Sequence, residues 1–315
     1  MLRTLVIAAL ACIAAADACA DSDSHPMPTP RFLTNGDGFI DYWPCFSPDG
    51  KSVLFSRSID GGKSWALWIV DVSGENARKF ARATLPVAET RASWSTGSPL
   101  IAFTGLAGRG QSSLWIIKAD GTDAHEVAPA GSTALTFYPS WLPDGETVIV
   151  MDGRELALKR IDVNRGSATT LTHHDQIFTG MPSVSPDGNS VVFAGQRNEG
   201  RQYDQLNNSI WILDVASGDV RPLESTLAQG RAPTWSPDGK RVAFESGRTS
   251  NLIQRGYVVF VADRDGTHLQ QVTERSLDAN HPVWSPDGKR LVVSARTSYL
   301  SQQTRIAVVE LPPRR

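Results

Sequence analysis

Pro282-Val283-Trp284-Ser285-Pro286-Asp287-Gly288-Lys289-Arg290-Leu291-Val292-Val293 is nearly repeated as Pro233-Thr234-Trp235-Ser236-Pro237-Asp238-Gly239-Lys240-Arg241-Val242-Ala243-Phe244. Looser copies begin at Pro44, Pro139 and Pro182. A worn copy surrounds Trp94, where Ser95-Thr96-Gly97-Ser98 replaces the usual turn. Six copies at a period of roughly forty to fifty residues mean an array of equal units, which decides the architecture before any single residue does.

Each copy parses physically. The Pro-x-Trp segment is a short apolar strand suited to burial on both faces. In Ser-Pro-Asp-Gly, proline presets one turn dihedral, aspartate bonds to nearby backbone, and glycine takes the positive φ of a bulged hairpin. The chain returns as a second strand such as Ser52-Val53-Leu54-Phe55 and then a third such as Leu67-Trp68-Ile69-Val70. After an Asp/Gly turn, a short fourth strand follows, as in Thr169-Thr170-Leu171-Thr172. Four antiparallel strands repeated radially protect their own edges, which predicts an all-β, six-bladed propeller of four-stranded blades. The sixth unit ends after its third strand, Arg305-Ile306-Ala307-Val308-Val309. Arg31-Phe32-Leu33-Thr34 resembles the missing fourth and is predicted to pair into the last blade and close the ring.

The phrase Pro-x-Trp-Ser-Pro-Asp-Gly-Lys-Arg-x-Ala-Phe, followed by Asp-x-Asp-Gly, resembles the TolB-like repeat, shared with the propellers of prolyl-oligopeptidase-type peptidases. The resemblance covers the chain after its leader. It implies a six-bladed propeller and, by analogy with TolB, a protein-binding role in the cell envelope. TolB itself carries an additional N-terminal α/β domain. Here only ten residues separate the expected cleavage site from the closing strand, so that domain is expected to be lacking.

Residues 1–20 read as a signal peptide: Arg3, an apolar run from Leu5 to Ala16 too short to span a bilayer, and cleavage after Ala18-Cys19-Ala20. Residues 21–29 read as a linker and 30–315 as the propeller. The expected address is the periplasm or the exterior. Cys12 and Cys19 would leave with the leader, so the remaining Cys45 forms no internal disulfide and is expected to be a small buried hydrophobe. A net charge of −2 carries no nucleic-acid footprint, and no second long apolar run follows the leader.

Antiparallel connections alternate between the two ends of a blade. The repeated turns therefore share one face, and the variable loops share the other. Residues entering each inner strand should ring the channel mouth on the variable face: Asp41, Tyr42 and Trp43; Glu89 and Arg91; Phe137 and Tyr138; Met181; Arg231; Asn280 and His281. Aromatics mixed with arginine form the composition of a binding patch. The candidate binding residues are Trp43, Arg91, Tyr138, Arg231 and His281, without catalytic role or cofactor. Their expected ligand is a periplasmic or envelope protein or peptide, held by a monomer. Long polar insertions (196–208, 248–255, 296–303) border the same mouth.

The rival class is a metal-dependent lyase or hydrolase acting on oligosaccharides, with His173, His174 and His281 as ligands. This repeat family also resembles a lyase of pectic oligosaccharides that uses a histidine-rich metal site. Ser58-Ile59-Asp60-Gly61-Gly62-Lys63-Ser64-Trp65 matches the Asp-box of sialidases. It occurs once, between strands two and three, and reads as loop geometry. Asp263-Arg264-Asp265-Gly266 reads as a plain turn rather than a calcium loop, its glycine falling too early. No Gly-x-Ser-x-Gly elbow occurs, so no serine-peptidase domain is expected.

Overall fold

Six four-stranded antiparallel sheets follow one another along the chain. The computed structural model describes residues 27–107, 111–127, 135–200, 202–223, 229–247, 256–296 and 303–312. The expected leader, residues 248–255 and residues 297–302 lie outside the described residues. Blade one comprises Ile40–Phe46, Ser52–Ser58, Ala66–Asp71 and Arg78–Lys79, running from the channel outward. Blade two comprises Ala88–Trp94, Leu100–Ala107, Gln111–Lys118 and His125–Val127, and blade three Thr136–Trp141, Thr147–Asp152, Ala157–Asp162 and Ala168–Thr170. Blade four is Ile177–Val184, Ser190–Arg197, Ser209–Asp214 and Val220–Pro222. Blade five is Gly230–Trp235, Arg241–Ser246, Val258–Asp263 and Gln270–Gln271. Blade six is Asn280–Trp284, Arg290–Ala295 and Arg305–Glu310, completed by Arg31–Phe32 from the other end of the chain.

The recurrent turn works through its serine and aspartate. Ser285 Oγ donates to Asp287 Oδ1 at 2.5 Å, while Oδ1 accepts the Lys289 N–H and Ser285 Oγ accepts the Arg290 N–H. The same set recurs at Ser47/Asp49 and Ser236/Asp238. Gly288 (φ +68) faces the Pro237 ring of the preceding blade, where an added Cβ would lie 3.3 Å away. Gly239 on Pro186, Gly188 on Pro143 and Gly50 on Pro286 repeat this contact around the ring. At blade two it breaks. Gly145 of blade three meets Gly97 instead, and a Cβ on Gly97 would collide with the Pro143 carbonyl. The turn that looks eroded in sequence is thus where two turns approach too closely for a side chain.

Between blades the apolar faces fuse into six clusters, one per interface. Trp141, for example, joins Val148 and Val150 of blade three to Ala102 and Leu114 of blade two. Its indole N–H donates to Ser93 O of blade two at 3.0 Å, and Trp284 likewise donates to Thr234 O of blade five at 3.2 Å. Trp141 and Trp284 therefore fill the gap between neighbours and satisfy their polar atoms on the adjacent backbone, whereas the indole nitrogens of Trp94 and Trp235 are buried without a hydrogen-bond partner among the described residues.

The predicted closure is present. Arg31 pairs with Val308 and Phe32 with Ala307. The pairing continues as Leu33 N donates to Ile306 O at 2.7 Å and Ile306 N to Thr34 Oγ1 at 3.0 Å. Leu33 is buried in the cluster that joins blade six to blade one, with Phe46, Val53 and Val308. Cys45 is buried too, and burial pushes its thiol up to about 12.

Candidate functional site

Every inner strand carries a register shift at one equivalent place: between Tyr42 and Cys45, Thr90 and Ser93, Phe137 and Ser140, Gly180 and Ser183, Arg231 and Thr234, Asn280 and Val283. One residue within each shift takes a left-handed backbone: Trp43 (φ 53), Arg91 (53), Tyr138 (55), Met181 (53), Ala232 (44) and His281 (51). Bulky residues pay about 1–2 kcal/mol for that conformation. Its sixfold recurrence makes it part of the architecture, because a bulge re-aims the side chain it carries. All six line a central cavity of about 550 Å³.

Four of the five sequence-chosen candidates, Trp43, Arg91, Tyr138 and His281, therefore share one structural position. Arg231 does not: it stands one residue ahead, and Ala232 occupies the bulge. The missed signal was the proline, since in five units the bulged residue immediately precedes it. Asp41, Glu89 and Asn280 were expected at the mouth but are buried. Asp41 holds Arg57 in a two-pronged ion pair (2.6 and 2.8 Å), and Glu89 accepts the Leu67 N–H at 2.9 Å. They brace the blades.

The side chains at the mouth form one network. Trp43 Nε1 donates to His281 Nε2 at 3.1 Å, and Trp65 packs on Trp43 with ring centroids 5.1 Å apart. The Arg91 guanidinium lies 4.1 Å from the Trp43 ring centre and 4.7 Å from that of Tyr138. Arg231 donates to Tyr257 Oη at 2.6 Å and lies 3.7 Å from Glu245 Oε1. Glu245 Oε2 accepts the His281 N–H at 2.6 Å. Arg296 pairs with Asp278 at 3.3 Å. Trp65 ends the Asp-box-like loop, in which Asp60 accepts the Lys63 and Ser64 N–H groups and Trp65 Nε1 donates to Gly62 O. The motif is a rigid hairpin that braces the mouth.

Burial, with Arg231 and Arg91 beside it, lowers His281 from 6.5 to about 3. The imidazole is neutral in the fold but protonates in the unfolded chain below its ordinary value. Its contribution to stability is complete above about pH 6.5 and declines as pH falls from there toward 3. Glu245, raised by burial, has the opposite slope above its ordinary 4.5. Unfolding free energies of the wild type and His281→Gln, compared across this window, should show a flatter acid limb in the variant. Parallel curves would refute the assignment.

His173 and His174 are exposed in the turn leading to blade four. Among the described residues no group of three His, Cys, Asp or Glu side chains is placed to hold a metal, so the structure does not bring these two together with His281. Asp265 accepts both the N–H and the hydroxyl of Thr267, as a plain turn does. Among the described residues, no helix is long and apolar enough to cross a membrane.

A closed ring of six four-stranded blades around a cavity lined in part by aromatic and arginine side chains defines a six-bladed β-propeller. The chain belongs to the TolB beta propeller family, whose profile matches residues 33–208 and 179–313. It is 27% identical over 213 residues to the Tol-Pal system protein TolB of Francisella tularensis subsp. mediasiatica, covering 65% of this chain and 46% of that protein. A structure assigned as TolB from Agrobacterium tumefaciens superposes with a TM-score of 0.62 at 20% identity, over 87% of this chain and 91% of that one. An oligogalacturonate lyase in complex with manganese superposes at 0.57 and 14% identity, over 89% and 92% of the two chains. These two structures share the fold. The chain spans 13%, 15% and 64% of the lengths of three other curated relatives.

Proposed function

We propose that this chain is an exported, non-catalytic binding module of the cell envelope that captures a segment of a partner protein over the channel mouth. The observation that carries this reading is the bulge ring: Trp43, Arg91, Tyr138, Met181 and His281 line one preformed cavity, which runs along the channel from the bulges to the repeated turns at Pro48, Pro143, Pro186, Pro237 and Pro286. Rigid aromatic and guanidinium groups lose little freedom on binding, which favours affinity. The two large apolar side chains most exposed among the described residues, Ile59 and Leu206, stand on loops between second and third strands of blades one and four. These loops lie on the mouth face, and the two blades are opposite each other in the ring. A partner seated over the mouth would cover both. Export rests on the leader-like residues 1–20, and the periplasm is the compartment that fits the similarity to TolB.

Replacing Arg91 and Tyr138 together by Ala is the direct test. Crosslinked capture of an envelope protein is expected to fall about a hundredfold, as for loss of two central anchors of ~1–2 kcal/mol each. The melting temperature should stay close to that of the wild type. Undiminished capture by the double variant would overturn the reading.

A further inference from the structure

Three of the arginines around the mouth already have acids. Arg57 holds Asp41 at 2.6 Å, Arg296 lies 3.3 Å from Asp278, and Arg231 lies 3.7 Å from Glu245. Arg91 differs. Among the described residues no carboxylate stands within ion-pair distance of it, and Glu89, two positions away, is occupied by the Leu67 N–H. Among the described residues its one hydrogen bond goes to Thr90 Oγ1 at 3.1 Å, and its buried Nε has no partner. Trp43 and Tyr138 stack against the guanidinium and fix its plane, with Phe137 at 5.6 Å. A cation held on aromatic rings, lining a cavity and lacking an anion, is preorganised to receive one.

The imidazole nearby points to the same ligand. Because His281 Nε2 accepts from Trp43, the proton of the neutral ring sits on Nδ1, which is buried without an acceptor. Arg91 and Arg231 both depress its protonation, so His281 lies in the field of two cations. This quarter of the mouth therefore presents positive charge and donors, bordered by the indole faces of Trp43 and Trp65. The acids facing it from the packed elements are Glu245 and Asp278, both buried, with Tyr42 and Tyr257 as the phenols.

We propose that the mouth reads a carboxylate: an acidic side chain in an extended segment of the partner protein docks on Arg91, and an apolar neighbour in that segment rests on Trp43 and Trp65. This rests on the binding-module reading and narrows it to an acidic peptide. The carboxylate accepts from the guanidinium edge left open by the aromatic clamp. The paired acids Asp41, Glu245 and Asp278 keep the other arginines from competing for it.

The test uses two blocked octapeptide libraries, each with one aromatic residue. One has Asp or Glu at the position beside it, and the other has Asn or Gln there. Fluorescence polarisation against the wild type should show the acidic library binding about tenfold more tightly, with the difference shrinking as salt is raised. Arg91→Met, which keeps the stacked stem but not the charge, should abolish the preference, and Arg91→Lys should keep part of it. Thermal melts of both variants establish that they fold. Equal affinity of the wild type for both libraries would overturn the carboxylate reading while leaving peptide capture standing. A preference that survives Arg91→Met would overturn it as well. Binding of neither library would overturn both proposals. Displacement of the acidic library by a galacturonate oligomer at lower concentration than by free acidic peptide would replace the peptide with an acidic glycan.

Discussion

A chain beginning at Asn35 is expected to lose on the order of 5 kcal/mol relative to one beginning at Met27, and to unfold at a much lower temperature. Leu33 is buried between blades six and one, and its burial alone contributes about 2 kcal/mol. The bonds from Leu33 N to Ile306 O and from Ile306 N to Thr34 Oγ1 add about 1 kcal/mol each. Phe32, which packs on the blade-six cluster and under the Arg305 guanidinium at 4.0 Å, adds more. The total is comparable to the whole net stability of a typical domain. The freed edge of Arg305–Glu310 would also be open to pairing with another molecule. Chemical denaturation and light scattering would check both effects. A chain starting at Arg31 is the control and should behave as the longer one does. An unchanged transition for the chain starting at Asn35 would show that the ring does not depend on this strand.

Arg231→Ala is expected to destabilise the fold by about 3 kcal/mol at neutral pH, because it removes the cation that faces the buried Glu245 carboxyl. Glu245 is fully buried and Arg231 is 18% exposed, so water screens the pair poorly. The Glu245 carboxyl is already raised by burial and lowered again by Arg231, so losing the arginine raises it further. A raised carboxyl stabilises the fold below its ordinary value and loses that contribution as pH rises. The deficit of Arg231→Ala should therefore shrink in acid and grow toward alkaline pH. Arg231→Met combined with Glu245→Gln should recover most of the stability, since both charges leave together. Urea titrations at several pH values decide the matter. A deficit independent of pH would mean that Arg231 acts through its packing on Tyr257 rather than through its charge. For the same reason Arg231 is a poor probe of the binding mouth, where sequence position alone had placed it.

Blade number, strand order and ring closure were all legible because they rest on local chemistry repeated six times. A turn needs its serine, aspartate and glycine within a few residues, and a blade needs its apolar alternation within one unit. The fourth strand of blade six was visible as a missing copy, matched by Arg31-Phe32-Leu33-Thr34 at the other end of the chain. Four of the five mouth residues were also within reach, since the repeat register carried them to equivalent positions.

What the linear chain left undecided was which residue of each inner strand the bulge would aim into the channel. The left-handed turn at Trp43, Arg91, Tyr138, Met181, Ala232 and His281 shifts side chains by one position, which separates Ala232 from Arg231. Nor did the sequence distinguish acids that brace from acids that bind. Asp41 and Glu89 look alike before folding, and only the fold shows Asp41 meeting Arg57 on the next strand of its own blade and Glu89 meeting Leu67 of blade one. Arg91 acquires its meaning in the same way. Its clamp comes from Trp43 in one blade and Tyr138 in another, far apart along the chain. Repetition determined the scaffold because its causes are local. The site was decided by tertiary structure because its charges and rings become neighbours only when six distant strands converge on one axis.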